Sequence, residues 1–148
     1  MTDPYDLNRF LQAQDDDYER ALSEIAGGRK RTHWMWYIFP QLAGLASSAT
    51  SRRFAIKGIE EARAYLEHPV LGPRLMACAE AAFAVEGRSA AEIFGSPDDL
   101  KLRSSATLFA AVLPSGSVFD RLIAKYYGGV HDSTTLNLLG NEPPAGTT

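Results

Sequence analysis

The sequence is short of the residues that build several common kinds of site. Its 148 residues hold one cysteine, Cys78, which excludes an internal disulfide and any cysteine-rich zinc motif. The three histidines, His33, His68 and His131, are scattered with no His-x-x-His pair, so neither a metal nor another cofactor is expected. No apolar run approaches the ~18 residues that a membrane span needs. The opening Met1-Thr2-Asp3-Pro4 lacks the basic and apolar regions of a signal peptide. A cytoplasmic protein with no membrane partner is the expectation. Period-2 alternation between hairpin turns is absent, as are internal repeats and the Gly-Lys-Ser/Thr core of a phosphate loop.

Charge of one sign is also scarce overall. Eighteen acids against 15 bases leave −3 with neutral histidines, which argues against a generally basic coat for nucleic acid. The sum conceals a segregation. Residues 1–28 carry seven acids (Asp3, Asp6, Asp15, Asp16, Asp17, Glu19, Glu24) against Arg9 and Arg20, whereas residues 29–57 carry Arg29, Lys30, Arg31, Arg52, Arg53 and Lys57 with no acid. Two readings of that basic stretch stand side by side. It lies on the acidic opening helices, with Asp15–Asp17 facing Arg29–Arg31 or Arg52–Arg53, or it lines a pocket for an anionic ligand.

Apolar residues make up 45% of the chain, enough for a globular core, and the length fits one domain. The punctuation is helical throughout. Asp3-Pro4 predicts a capped first helix carrying Leu7, Phe10 and Leu11. Tyr18, Leu22 and Ile25 form a second stripe, stopped by Gly27-Gly28. Ser51 is expected to cap a helix with Ala55, Ile59, Ala62 and Leu66 on one face, ending before Pro69. Leu71 to Val85 reads as a long alanine-rich helix. Ser89-Ala90-Ala91-Glu92 matches a capping box, Ser96-Pro97-Asp98-Asp99 starts a helix running to Leu113, Ser117 caps Val118–Tyr127, and Asp132 caps a last short helix. The expectation is an all-α fold: a single compact orthogonal bundle of six to eight helices over residues 1–140, with a flexible tail over 141–148.

The most unusual stretch is His33-Trp34-Met35-Trp36-Tyr37-Ile38-Phe39-Pro40-Gln41, which holds both tryptophans beside Arg29-Lys30-Arg31. Met35, Ile38 and Phe39 read as core. His33, Trp34 and Trp36 carry polar tips, and they read either as core or as a stacking wall beside cations. On the helix opened at Pro97, Lys101, Ser104, Ser105, Leu108 and Val112 share one stripe. Lys101 either snorkels to solvent or clamps a phosphate or carboxylate, with the serine hydroxyls as further donors. His68 reads as a donor to the carbonyls at a helix end, and Cys78 as a small buried hydrophobe.

Several strings together resemble a known family. They are the His33–Gln41 motif, Tyr65-Leu66-Glu67-His68-Pro69-Val70-Leu71-Gly72, Ile93-Phe94-Gly95, Lys101-Leu102-Arg103-Ser104-Ser105 with Thr107-Leu108-Phe109, and Thr135-Leu136 with Leu139-Gly140. The chain is similar to the domain-of-unknown-function 1810 family of small, mainly helical proteins, some of which carry the label calpastatin. The resemblance implies the helical fold and supplies no activity. Ala106 stands where that family suggests methionine, and Tyr37 where it suggests phenylalanine. The calpastatin label finds no support in a composition this globular, because that inhibitor is largely disordered.

The functional expectation is a pocket for a small anionic ligand, nucleotide or nucleotide-sugar-like. Arg29, Lys30 and Lys101 neutralise its charge, Trp34 or Trp36 stacks on it, and His33 and Gln41 orient it, with Ser104 and Ser105 as donors. If the pocket is catalytic, His33 is the acid–base candidate, as histidine is the residue type that titrates near neutrality. The alternative is a non-enzymatic module whose basic stretch binds an acidic protein surface or nucleic acid, favoured by an exposed Trp34/Trp36 patch.

Overall fold

Helix signals in the sequence become ten helices in the computed structural model, which describes residues 3–140. They are α1 (Asn8–Gln14), α2 (Tyr18–Ala26), α3 (Met35–Ile38), α4 (Ala49–Arg53), α5 (Ile59–Glu67), α6 (Leu71–Ala84), α7 (Ala90–Phe94), α8 (Asp98–Ala110), α9 (Val118–Tyr127) and α10 (Ser133–Gly140). No strand occurs among the described residues; the one extended pairing is an isolated parallel bridge between Leu42 and Ile56. The count exceeds six to eight because it includes α3 and α4, helices of only four and five residues. The expected tail over 141–148 lies outside the described residues.

Local signals place most boundaries. Ser89 and Glu92 form the reciprocal capping box of α7. Ser117 accepts the Asp120 N–H at the start of α9, and Gly128 ends that helix in the left-handed conformation at φ +60°. The Asp132 carboxylate accepts the Thr135 N–H at 2.9 Å to open α10. Three expectations are corrected. Asp3 takes the Leu7 and Asn8 N–H groups on its two oxygens, so the first helix begins at Asn8 rather than at Pro4. Ser96 makes no cap: α8 starts at Asp98 after Pro97, and it stops at Ala110 instead of Leu113. Ser51 lies inside α4, whose cap is Ser48, and the helix expected to continue from it is cut in two. Between α4 and α5, Ile56 donates to the Gln41 carbonyl at 2.8 Å and its own carbonyl accepts the Ala43 N–H at 2.7 Å. Those long-range bonds hold Ile56 in the bridge to Leu42, and α5 resumes only at Ile59.

Helix α8 is the centre of the packing. It contacts α9, α7, α5, α10 and α3, while α6 packs on α2, α5 and α9. Leu102 and every residue from Ser104 to Phe109 on α8 are buried, and the largest enclosed rings around it include Phe109, Phe119, Tyr65 and Phe10. A helix buried on so much of its circumference must be covered on several sides. Its exposed exception is the N-terminal turn, where Lys101 sits, and that turn faces α3.

Candidate functional site

The wall of the site is built by one carboxylate that sequence reasoning missed. Glu24, on the last full turn of α2, accepts the Arg31 N–H at 2.8 Å, the Thr32 N–H at 3.1 Å, the Thr32 hydroxyl at 2.8 Å and the Trp34 indole N–H at 2.8 Å. Burial opposes its ionisation, yet those four donors, led by the Arg31 N–H, hold its pKa down at about 2. The Lys30 N–H donates to the Ile93 carbonyl at 2.6 Å. The 29–34 loop is thereby fixed between α2 and α7. Nothing local marks Glu24 for this task; the only hint is that acids crowd the chain just ahead of the acid-free stretch.

Two ammonium groups from distant segments then meet. Lys30 Nζ lies 2.8 Å from Asp98 Oδ2, and Lys101 Nζ lies 3.0 Å from Asp98 Oδ1. Each also sits over an indole: Lys30 is 5.1 Å from the Trp34 ring centroid and Lys101 is 4.3 Å from that of Trp36. Burial pushes the Asp98 carboxyl towards neutrality, but the hydrogen bonds from Lys30 and Lys101 outweigh it and keep the pKa below the ordinary aspartate value. The trio therefore carries one net positive charge. It borders a hollow of about 170 Å³ that is also lined by His33, Trp36 and Thr50. A second hollow of about 280 Å³ shares Trp36 and Lys101 with the first and adds Gln41, Ser104, Asp132 and Thr134.

The nine sequence-nominated residues separate into those gathered here and those placed elsewhere. Lys30, His33, Trp36 and Lys101 meet at the first hollow; Gln41 and Ser104 line the second. Trp34 borders the first hollow but is only 1% exposed, with Phe39 and Phe94 packed on it at 6.5 and 6.4 Å, so it supports the wall and offers no stacking face. Arg29 is exposed and lines neither hollow, because its N–H completes the end of α2 on the Glu24 carbonyl. Ser105 is fully buried in the α8 core, and its hydroxyl has no partner.

The expected facing of Asp15–Asp17 on the basic stretch is not made among the described residues. Asp17 pairs with Arg20 and accepts the Tyr37 hydroxyl. His68 also differs from expectation: its Nδ1 accepts the Val70 and Leu71 N–H groups at 3.1 and 3.2 Å, so it opens α6 rather than serving the carbonyls of α5. Burial pushes the Cys78 thiol up to about 12, which leaves it unsuited to act as a nucleophile. Among the described residues no cluster of three or more His, Cys, Asp or Glu could hold a metal, and no helix is long and apolar enough to cross a membrane.

Comparison with known proteins places this geometry in context. The sequence model described as "Protein of unknown function (DUF1810)" matches residues 4–139. The conserved hypothetical protein Rv1873 from Mycobacterium tuberculosis, with a crystal structure at 1.38 Å, is 52% identical. The match covers 95% of the present chain and 100% of that one, with a TM-score of 0.93. No curated protein matches the chain.

Proposed function

The chain belongs to the DUF1810 family, and we propose that it binds a small anionic ligand, nucleotide or nucleotide-sugar-like, at the hollow beneath Trp36. One observation carries the reading. The Lys30 and Lys101 ammonium groups converge on Asp98 at 2.8 and 3.0 Å on the wall of a hollow, with donors to spare. An ammonium has three N–H donors, and Asp98 engages one from each lysine. The unused donors and the trio's net positive charge suit a phosphate or carboxylate, whose partly desolvated charge-assisted hydrogen bonds are stronger than those between neutral groups. The half-buried Trp36 supplies an aromatic surface beside the cations, and the exposed His33 supplies an imidazole on the same hollow.

If a reaction occurs there, His33 is the residue placed to exchange a proton with the ligand. The neighbouring hydroxyls and the thiol are poorly placed as nucleophiles: Ser104 donates to the Leu100 carbonyl at 3.2 Å, while Ser105 and Cys78 are sealed in the core. The interaction-module reading draws nothing from Trp34, which is enclosed.

A thermal-shift screen with inorganic phosphate, pyrophosphate, a nucleoside diphosphate and citrate tests the proposal. At 100 times its dissociation constant, a ligand of the folded state raises the midpoint by about 5–10 °C for a chain of this size. The rise is expected to shrink in Lys30→Met and in Lys101→Met, and to fall with added salt. No shift with any anion, or a shift that both variants retain, overturns it.

A further inference from the structure

The second hollow has a different chemistry from the first, and we propose that it seats the uncharged, hydroxylated part of the same ligand, so that the protein takes a sugar phosphate in preference to a bare anion. This rests on the anion reading above. The hollows share Trp36 and Lys101 as a common wall. At about 170 and 280 Å³ each falls below the roughly 300 Å³ at which small-molecule sites begin, while the two together lie within that range.

The lining explains the division of labour. Asp132 puts a carboxylate on the second hollow, which repels a phosphate and leaves the anionic group to Lys30 and Lys101. Asp132 Oδ2 is taken by the N–H and hydroxyl of Thr135, but Oδ1 is 4.0 Å from Arg103 Nη2, beyond hydrogen-bond reach, and remains an acceptor. The Ser104 hydroxyl donates to Leu100 and keeps lone pairs. Gln41 supplies the donor. It is only 7% exposed, its backbone is pinned by the bridge to Ile56, and its Nε2 is buried with no hydrogen-bond partner. A buried amide N–H without an acceptor is unfavourable, and a ligand oxygen removes the penalty. Donor and acceptors beside an indole suit hydroxyl groups, each of which both donates and accepts, on a ring with an apolar face.

Calorimetric titration of the full chain with methyl phosphate and with ribose 5-phosphate tests this, since both are phosphomonoesters and differ in their hydroxyls. The wild type is expected to bind ribose 5-phosphate at least tenfold more tightly. Gln41→Leu should abolish that preference and leave methyl phosphate binding within twofold. Its thermal midpoint should hold, because the lost Nε2 has no hydrogen-bond partner; Ser104→Ala provides a second variant with the same expected direction. Lys101→Met should weaken both probes. Equal affinities in the wild type, or a preference that survives both Gln41→Leu and Ser104→Ala, overturn the inference and leave the anion reading intact. So does a Gln41 amide satisfied by one water in the enclosed hollow of about 10 Å³ that it also lines, with no sugar preference. Failure of both probes to bind removes the anion reading and this inference together.

Discussion

Glu24 and Asp98 do opposite things with the same functional group. Glu24 gathers neutral donors, and its pKa of about 2 lies below the ordinary glutamate value of 4.5. A depressed folded-state pKa means that its stabilisation is complete above about pH 4.5 and drains away as pH falls towards 2. The difference corresponds to roughly 3 kcal/mol at neutral pH as an upper figure, because the group is partly solvated. Glu24→Gln is expected to lower stability at pH 7 by about 1–3 kcal/mol and to flatten the urea-midpoint profile between pH 4.5 and 2. An unchanged profile would refute this role. Asp98 instead occupies a place between two cations that a ligand could share. Each ammonium is also held over an indole, so Asp98→Asn should leave the lysines in position while raising the local charge by one. About tenfold tighter pyrophosphate binding by calorimetry is expected, and weaker binding would show that the carboxylate is needed to position them. Residue types told only part of this. The adjoining Trp34 and Trp36 look alike in sequence, yet one is tied to Glu24 and enclosed by rings while the other borders all three hollows; that difference is set by partners far along the chain.

Among the elements, α1, α4 and α5 are joined through one guanidinium. Arg9 donates to the Arg53 carbonyl at 2.7 Å, to the Ala55 carbonyl at 2.8 Å and to the enclosed Glu61 carboxylate at 2.8 Å, and Glu61 also accepts the Lys57 N–H at 3.0 Å. Arg9→Met strands a buried carboxylate and is expected to cost about 3–5 kcal/mol in chemical denaturation. A loss below about 1 kcal/mol would contradict that role. The junction of α5 and α6 depends on Gly72, where an added Cβ would stand 2.1 Å from the Leu66 carbonyl oxygen. Gly72→Ala forces the two helices apart, with an expected loss of about 1–3 kcal/mol in the same assay; a neutral substitution would argue against so tight an approach. The sequence made some of these junctions legible and hid others. The caps at Ser89, Ser117 and Asp132 and the stop at Gly128 are local chemistry, so they can be read directly. Ser51 misleads because the segment after it is held by the Leu42–Ile56 bridge, and such pairing leaves no mark in neighbouring residues.

For the whole molecule, charge segregation and helical periodicity draw attention to Lys30 and Lys101 as cations beside apolar or aromatic stretches, and the fold sets both against Asp98. The partner that joins them was hidden. Asp98 reads in sequence as an acid favouring a helix N-terminus, and only the packing of α3 and α7 against α8 turns it into the link between two lysines. The basic stretch does not rest on the opening acids as one surface; Lys30 turns inward to Asp98, and Arg29, Arg31, Arg52 and Arg53 stay exposed. Calorimetric titration of pyrophosphate at two salt concentrations tests the central claim most directly, comparing the wild type, a Lys30→Met/Lys101→Met double variant and Lys57→Met, a control lying outside both hollows. Saturable, salt-weakened binding by the wild type and the control, reduced at least tenfold in the double variant, is the predicted result. Equal binding by all three proteins, or none by the wild type, would contradict it.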